Sequence, residues 1–449
     1  MVILQSIKND EMKNLLIITY YFPPSGGPGV QRVLKHIKYL PEFGWNPIVY
    51  TAKDAQYPAY DYSLLEEIPK NIKIYRSKIF EPYSFYRKIV GIKSSDPVDV
   101  NVIKKENQKL TWKEKFSEFI RATFFIPDAR MFWYFSGRKE LRKAIKENKI
   151  DAIYSSSPPY TTALIAKRAK KILKVPWIAG FRDPWTGFIS APKRWFLPRQ
   201  IDKHLEKSVF QKADKIECAW VGIIKDALSK YPDLDKSKFQ HIPNGFDSDD
   251  YPKIDWQENE RFTLTYTGSM YGRRNPAALF QAIEKLLNDG LLSRDDFKIK
   301  FIGRFGREIY EMIENTSFRN SIEVINYLPH KESLIELLKS DALLLIVDES
   351  KESQEIVPGK VYEYIGTRKP ILTIAPTNGA IAELMQETGL GLVAHQSEID
   401  KIAENFLKLY NAYKYKGIKQ KINESAIAKY ERREAARQLS ILLDELCVE

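Results

Sequence analysis

The chain has 449 residues, more than one ordinary hydrophobic core accommodates, so two domains are expected. Its 44% hydrophobic and 29% charged residues are typical of a folded protein and argue against disorder. The net charge of +12 favours an acidic partner, whether nucleic acid, anionic lipid or a phosphorylated substrate. Two cysteines give no disulfide framework, which fits a cytoplasmic protein. No apolar run reaches the roughly 18 residues of a membrane-spanning helix, so any membrane contact is expected to be peripheral.

The N-terminal part of the chain predicts a βαβ unit. The apolar run at residues 15–19 is typical of a strand buried on both faces of a parallel sheet. It leads into a loop containing Gly26 and Gly27, and from Gly29 onward the apolar residues have helical spacing. Such a loop lets the backbone approach a diphosphate closely. The dinucleotide fingerprint is not met, because Arg32 stands where its third glycine should be, and this argues against a nicotinamide or flavin cofactor.

Residues 83–134 interleave aromatic and basic side chains without a strand pattern, which predicts helices and loops inserted in the first domain. Aromatic packing beneath basic, solvated edges is the preferred interpretation. A membrane-surface or lipid-acceptor face is the alternative, because cations attract anionic headgroups while Trp and Phe favour the interface. Nucleic-acid binding ranks below both, since no recognised binding motif accompanies the charge.

Polar residues follow two further predicted strands of the first domain. Ser157 and Tyr160 come after the strand predicted near residues 151–155, and Arg182 and Asp183 follow the next one. Open α/β sheets bind ligands just beyond the carboxyl ends of their strands, so these side chains are candidates for a ligand site.

Residues 241–252 (HIPNGFDSDDYP) predict a linker between two domains, because an Asn-Gly turn and an acidic run precede a proline. Asp247 and Asp249 also spell a D-x-D pattern of the kind that holds a divalent metal in another class of enzyme. No strand pattern flanks this one as that class requires, so no metal is expected.

A second doubly wound sheet is predicted after the linker, from a strand at residues 262–267 and four further apolar strands separated by helices. Gly268 opens the loop after the first of these strands, and Arg273 and Arg274 follow it. Arginine can hold two phosphate oxygens at once, which makes this pair a candidate for phosphate binding. Arg304 follows the end of the next strand and is a further candidate.

Residues 355–370 (EIVPGKVYEYIGTRKP) hold the strongest motif of the chain. Glu355 and Glu363 lie eight positions apart around a Pro-Gly turn. A helix is predicted over residues 360–365, with Gly366 as its stop. The free N–H groups and positive dipole end at the start of that helix would hold an anion such as a phosphate.

This stretch, continuing into PILTI, resembles the donor-binding signature of family 4 glycosyltransferases (glycosyl transferases group 1), which have the GT-B fold. The resemblance implies two doubly wound Rossmann-like α/β domains with the cleft between them, and a C-terminal helix that crosses back to the first domain. It also implies that Glu355 binds the donor sugar, Glu363 the ribose, and one arginine of the 273–274 pair the diphosphate. The linker resembles the hinge of the family, and FRDPW (residues 181–185) resembles a sequence in one of its branches.

The predicted site thus has three groups of residues. The catalytic group is Glu355, Arg273 and Arg274. The donor-binding group is Gly26, Gly27, Gly268, Arg304, Val357, Pro358, Gly359, Lys360 and Glu363. The group on the cleft or acceptor side is Ser157, Tyr160, Arg182 and Asp183.

The predicted domains are residues 1–245 on the acceptor side, 246–428 for nucleotide-sugar binding, and a terminal helix at 429–449. The resemblance implies a retaining transfer without cofactor or metal, from a UDP- or GDP-type sugar to a glycan, lipid-linked or other acceptor. Surface polysaccharide or glycoconjugate biosynthesis is the implied setting. Many family members contact the donor sugar through a histidine where this chain has serines after residue 154, so the sugar stays open. A GT-B-like nucleotide-sugar epimerase and a catalytically silent glycan- or membrane-binding module are the alternatives.

Overall fold

Two parallel β-sheets organise the chain, and each belongs to a separate unit. The first unit combines Met1–Pro243 with Ala435–Glu449, and the second is Asn244–Glu434. The computed structural model describes residues 12–79, 112–187, 192–255, 257–348, 357–416 and 421–448.

The first unit contains seven strands and, within the described residues, helices on both sides of the sheet. In chain order the elements are β1 (Lys13–Thr19), α1 (Pro28–Tyr39), β2 (Trp45–Lys53), β3 (Lys73–Lys78), α2 (Trp112–Phe124), α3 (Trp133–Ser136), α4 (Arg138–Glu147), β4 (Ala152–Ser157), α5 (Thr161–Leu173), β5 (Trp177–Phe181), α6 (Phe196–Lys212), β6 (Lys215–Cys218), α7 (Val221–Lys230) and β7 (Phe239–His241). Short 3-10 turns lie at Leu40–Phe43, Tyr62–Leu65 and Lys236–Lys238.

The second unit contains six strands, and the terminal helix runs from it into the first unit. The elements are β8 (Phe262–Thr267), α8 (Ala277–Asn288), β9 (Phe297–Ile302), α9 (Arg307–Glu314), β10 (Ile322–Ile325), α10 (His330–Leu338), β11 (Ala342–Ile346), α11 (Gly359–Thr367), β12 (Ile371–Ile374), α12 (Ala380–Thr388), β13 (Gly391–Ala394), α13 (Ile399–Tyr415), α14 (Glu424–Ala428) and α15 (Arg432–Val448). Here 3-10 turns lie at Ser248–Asp250 and Arg319–Ser321.

Both sheets have the doubly wound strand order that the sequence predicts. The first sheet runs β3-β2-β1-β4-β5-β6-β7 and the second β10-β9-β8-β11-β12-β13. All pairs are parallel, with Ile17 opposite Val49 on one side and Tyr154 on the other. The strand order reverses between β1 and β4 in the first sheet and between β8 and β11 in the second. Ligands of such folds bind beyond the carboxyl ends of strands at this reversal.

Interior strands such as β1 and β11 have continuous apolar runs because each sheet is covered on both faces. In β1, Leu16 and Ile18 point into one core, whereas Ile17 points into the other. Leu439 and Leu443 of α15 complete that second core, so the predicted return of the terminal helix to the first unit is confirmed. Each such fully buried side chain contributes roughly 1.5–3 kcal/mol relative to exposure.

Three strands were not predicted, and all three lie at sheet edges. They are β3, β7 and β13. An edge strand is covered incompletely, so its sequence does not need a continuous apolar run. The sequence KIYRSK of β3, with mostly half-buried or exposed residues, shows no strand signal for this reason.

The inserted segment is only partly described, since residues 80–111 lie outside the described part of the chain. Its remaining portion consists of the helices α2 and α3 with a loop between them, in line with the predicted helices and loops. Trp133 is buried and stacks on Tyr50 with ring centroids 5.4 Å apart, in line with aromatic packing. In α2, however, Trp112, Phe116 and Phe119 are exposed, so the packing interpretation is wrong for that helix.

The chain enters and leaves the second unit along two adjacent segments. The N–H of Phe246 donates to Tyr430 O at 3.0 Å, and the N–H of Arg432 donates to Phe246 O at 2.8 Å. A Cβ on Gly245 would lie 2.0 Å from Tyr430 O, so only glycine allows this approach. Asp247, the first acid of the D-x-D pattern, accepts from the N–H of Asp249 at 3.1 Å and so caps the turn at Ser248–Asp250.

Arg32, at the third position of the unmet dinucleotide fingerprint, forms a buried ion pair. Its guanidinium contacts Glu217 of β6 and donates to Ile242 O at 2.7 Å and Pro243 O at 3.0 Å. The Tyr154 hydroxyl donates to the other Glu217 oxygen. Although burial opposes ionisation, the Glu217 carboxylate raises the pKa of Arg32. The pair fixes the last residues of the first unit before the chain passes into the second.

Replacing Glu217 by alanine is expected to lower the free energy of unfolding by about 3–5 kcal/mol, because Arg32 would stay buried without its counter-ion. Glu311→Ala is the matched control. It breaks the exposed Arg307–Glu311 pair, whose side chains are 92% and 59% exposed, and should change stability by no more than about 0.5 kcal/mol. Urea unfolding of both variants measures the difference, and equal effects would contradict the assignment.

Candidate functional site

Two glycines bring the carboxyl ends of β8 and β9 together in the second unit. A Cβ on Gly303 would lie 2.2 Å from Gly268 O, so the two loops meet backbone to backbone. Both glycines have positive φ, 107° for Gly268 and 146° for Gly303, which other residues rarely adopt. The Gly268 N–H donates to Ile302 O at 2.8 Å. Gly268 is exposed and Gly303 is buried behind it, so a ligand can approach the backbone at Gly268.

The loop after Gly268 carries the two predicted arginines, and it buries them to different degrees. The loop is fixed to the first turn of α9, because the N–H of Gly272 donates to Glu308 Oε1 at 2.8 Å. Arg273 is exposed, whereas Arg274 is half-buried. The Nε of Arg274 is buried and has no hydrogen-bond partner within the described parts of the chain. Arg274 is thus the arginine that lies against Tyr266 with its Nε atom unpartnered among the described residues, whereas Arg273 extends into solvent.

Lys360 contributes a second cation to the same place. It lies in the first turn of α11, which starts directly after Pro358. Its Nζ donates to Thr267 O at 3.0 Å and lies 3.6 Å from the centre of the Tyr266 ring. Burial lowers the pKa of Lys360 well below its usual value, and Arg274 lowers that pKa further, whereas Glu363 opposes the shift. The positive charges of Lys360 and Arg274 therefore destabilise each other in the absence of an anion.

Glu363, predicted to contact ribose, lies one turn further along α11. Its Oε1 is 3.0 Å from Nε2 of His330, the first residue of α10. Both side chains are partly exposed, so the pair is accessible while each partner restrains the other. Sequence reasoning assigned no role to His330. His330 begins a helix just beyond the carboxyl end of β10, and that position could have marked it as a candidate site residue.

The predicted stop of α11 at Gly366 is wrong. The helix continues through Gly366 to Thr367, and Arg368 ends it with a left-handed φ of 57°. Gly366 has a different function, since a Cβ there would lie 2.1 Å from the hydroxyl oxygen of Tyr251. That hydroxyl donates to the main-chain oxygen of Glu363 at 2.7 Å. The glycine thus allows Tyr251 to hold the helix turn that carries Glu363.

Three other predicted donor residues have less defined positions. Glu355 lies outside the described residues, so its role stays a prediction. Val357 is half-buried against the core of the second unit and leads into Pro358 and α11. Arg304 is exposed, with its guanidinium 5.2 Å from the centre of the Tyr327 ring.

Arg182 joins several loops at the carboxyl end of the first sheet. Its N–H donates to Ser157 O at 2.9 Å, and its guanidinium donates to Ser156 Oγ and Pro158 O. Burial lowers the pKa of Arg182, although Asp183 opposes this shift. Burial likewise raises the pKa of the Asp183 carboxyl, against the effect of Arg182. The two charged groups that the sequence selects here are therefore partly shielded from water.

The side chains of Ser157 and Tyr160 form contacts within the protein at the carboxyl end of the first sheet. The Ser157 hydroxyl is buried and lies 2.9 Å from Thr162 Oγ1. The Tyr160 ring stacks on Trp185 with centroids 4.7 Å apart, and its hydroxyl donates to Pro184 O. Both side chains have protein partners, and Tyr160 supports the loop that carries Asp183. Direct ligand contact by either side chain stays a prediction.

The first Gly-rich loop reaches the same region. The N–H of Gly26 donates to Ala59 O at 2.9 Å, and Gly27 has a positive φ of 86° just before α1. A Cβ on Gly29 would lie 3.2 Å from the Tyr21 ring and 3.7 Å from Nη2 of Arg182. The loop after β1 and the loop after β5 therefore approach each other at the end of the first sheet.

The described residues also limit two other kinds of site. Across the described ranges, no group of three His, Cys, Asp or Glu side chains could hold a metal ion. No described helix has the length and apolar character needed to cross a membrane.

Two doubly wound units, with glycines and cations at the strand ends of the second, place the protein in the class of two-domain α/β proteins. The family model described as Glycosyltransferase Family 4 matches residues 29–250, and the model described as Glycosyl transferases group 1 matches residues 248–427. The chain belongs to the family 4, group 1 glycosyltransferases with the GT-B fold, as its motifs predict.

Solved structures of similar fold span nearly the whole chain. The Anabaena Alr3699/HepE protein in complex with UDP has a TM-score of 0.58 at 12% identity, covering 97% of this chain and 100% of that one. A glycosyltransferase from Rickettsia africae has a TM-score of 0.59 at 15% identity, covering 97% and 99%. Sucrose-phosphate synthase from Thermosynechococcus elongatus has a TM-score of 0.60 at 10% identity, covering 97% and 99%. At these identities the likeness concerns the fold. A comparison with curated protein sequences gives no significant match.

Proposed function

We propose that the protein is a retaining, metal-independent glycosyltransferase that moves a hexose from a UDP- or GDP-type sugar to a glycan, lipid-linked or other acceptor. Work at the cytoplasmic face of a membrane, in surface polysaccharide or glycoconjugate biosynthesis, is part of this proposal. The retaining stereochemistry and the setting rest on the family resemblance. NMR of the product anomer is the direct check on the stereochemistry.

The observation that carries the proposal is the pair of basic side chains, Lys360 and Arg274, that meet at the Tyr266 ring at the end of β8. Lys360 and Arg274 lie together in a partly buried place, next to the exposed backbone of Gly268. A buried cation needs a counter-charge, and two adjacent ones need more than Glu363 supplies. A diphosphate provides that charge, and the N–H groups at the start of α11 add further donors to it.

The same groups account for catalysis in this proposal. Cleavage of the bond between sugar and diphosphate builds negative charge on the departing phosphate while the sugar gains oxocarbenium character. Arg274 and Lys360 are already positioned to stabilise that charge, so little reorganisation is needed during the reaction. Glu363, restrained by His330 at 3.0 Å, would accept hydrogen bonds from the ribose hydroxyls. Glu355 would orient the sugar.

The relatives support a nucleotide sugar as donor. Anabaena Alr3699/HepE has been solved in complex with UDP and with UDP-glucose. The first unit supplies the acceptor side in this proposal. Arg182 and Asp183 are the charged groups it offers there, at the end of β5.

A thermal-shift screen against UDP-, GDP- and ADP-sugars tests the proposal, because a ligand of the native state stabilises it by about 2.7 kcal/mol at one hundred times its Kd. One nucleotide class is expected to raise Tm, and that sugar should be transferred to an acceptor. Glu355→Ala should lower turnover strongly while leaving Tm unchanged. If none of these sugars raises Tm, or if product forms from donor alone, the proposal is wrong.

The arginine pair offers a matched comparison. Arg274→Ala should lower kcat/KM by about 100-fold or more, as expected when one donor to a developing anion is lost. Arg273→Ala removes the exposed neighbour and should change kcat/KM by less than about threefold, since surface charges contribute about 0–1 kcal/mol. Steady-state kinetics of both variants measure kcat/KM. If Arg273→Ala lowers kcat/KM more than Arg274→Ala does, Arg273 is the arginine that binds the diphosphate.

Lys360 predicts a pH dependence of UDP affinity. Burial depresses the pKa of Lys360 in the free protein, and a bound diphosphate would raise it, so binding takes up a proton. Affinity should therefore fall as the pH rises through the depressed pKa, above pH about 7 where the phosphate is already ionised. Calorimetry across this range measures the slope. The Lys360→Met variant should bind UDP more weakly, and its affinity should no longer change with pH over this range. If the pH dependence is unchanged in the variant, Lys360 is not the group that takes up the proton.

A further inference from the structure

Helix α2 exposes a stripe of large aromatic side chains. Trp112, Phe116 and Phe119 lie four and seven residues apart, which places them on one side of the helix, and Thr123 continues that side. All three aromatic side chains are more than half exposed. Isolated exposed apolar residues are common, but a continuous stripe of this size marks an interaction surface.

The start of α6 extends the stripe. The indole N–H of Trp195 donates to Thr123 Oγ1 at 2.9 Å, which joins the exposed sides of the two helices. Together they form what we call the aromatic face, whose members are between 44% and 73% exposed. It consists of Trp112, Phe116, Phe119, Phe124, Trp195, Phe196, Leu197 and Ile201.

A buried arginine fixes the geometry of this face. The Arg194 side chain is only 4% exposed and pairs with Asp202 of α6 at 2.8 Å. Its guanidinium also donates to Ala122 O at 2.7 Å, Phe125 O at 2.9 Å and Pro127 O at 2.8 Å. One side chain thus holds the carboxyl end of α2 against α6. The aromatic face is therefore a built surface, and its apolar side chains are presented to solvent by a fixed scaffold.

The charge around the aromatic face is positive. Residues 112–124 and 192–203 together contain seven lysines and arginines against three acids. Asp202 and Arg194 neutralise each other, which leaves six basic residues against two acids. Lys193, Arg199 and Lys203 are exposed beside the apolar side chains of α6. Basic residues that surround Trp, Phe and Leu suit the boundary of an anionic bilayer, where headgroups attract the cations and rings enter the interface.

We propose that the aromatic face docks on the surface of a bilayer containing anionic lipid. Insertion would be shallow, because α2 has 13 residues and carries charges along its length. The inference specifies the membrane contact of the proposed function and rests on it to that extent, but it does not depend on the donor site, because its observations all lie in the first unit. A second copy of the chain or an acidic protein could also cover an apolar face, and both are outcomes that the experiment separates.

Cosedimentation of the full-length protein with vesicles tests the proposal. Vesicles of phosphatidylcholine with phosphatidylglycerol should bind the protein, binding should weaken with salt, and phosphatidylcholine alone should bind much less. Phe116→Gln/Phe119→Gln should weaken partitioning at least tenfold. Lys193→Gln/Lys203→Gln should reduce the preference for phosphatidylglycerol. The control Leu291→Gln/Tyr415→Gln replaces side chains of the second unit that are 54% and 71% exposed, and should bind like the parent protein.

Three results would overturn the proposal. One is equal vesicle binding by the Phe116/Phe119 variant and the control variant. Another is binding that does not depend on anionic lipid. The third is self-association of the parent protein in sedimentation velocity without lipid, abolished by the Phe116/Phe119 substitutions, which would assign the face to a second copy. Circular dichroism melts confirm that each variant is folded, and the single Phe116→Gln variant replaces the double variant if the latter unfolds.

Discussion

The second unit is organised around the mutual repulsion of Lys360 and Arg274. Folding places both cations at the end of β8, where burial makes the charged form of Lys360 less stable and Arg274 adds to that effect. A stabilising core would avoid such an arrangement. It persists because the surrounding contacts fix it: Gly268 and Gly303 bring the loops together, and Glu308 holds the arginine loop. Strain of this kind, maintained by the rest of the fold, is common where a protein binds an opposite charge.

The sequence was sufficient for the two sheets and for the interior strands. Strands such as β1 and β11 are covered on both faces, so their composition must be apolar throughout, and that pattern is visible without a structure. Edge strands lack this requirement, which explains why β3, β7 and β13 were missed. The exposed stripe of α2 could not be distinguished from a packed one. Helical spacing of aromatic residues shows that they share one side of a helix, but it does not show whether another element covers that side.

The candidate site was predictable where it depends on local spacing. Gly268 at a strand end and Lys360 in the first turn of a helix follow from their neighbours in the chain. The choice between Arg273 and Arg274 does not follow from neighbouring residues. It depends on Glu308, which is distant in sequence and fixes the loop that carries both arginines. His330 and the true function of Gly366 depend in the same way on partners from other elements, Glu363 and Tyr251. Tertiary contacts thus decided the details that sequence patterns left open.

The paired segments at Phe246 and Tyr430–Arg432 have a consequence for how the polypeptide can be divided. The second unit is an insertion within the first, since the first resumes at Ala435. A fragment ending at Pro243 would lack Leu439 and Leu443 and would leave an apolar trough open to water. The second unit, by contrast, begins and ends at neighbouring points that main-chain hydrogen bonds already join. The two units are therefore better separated by excising the second unit as one piece than by truncating the chain after the first.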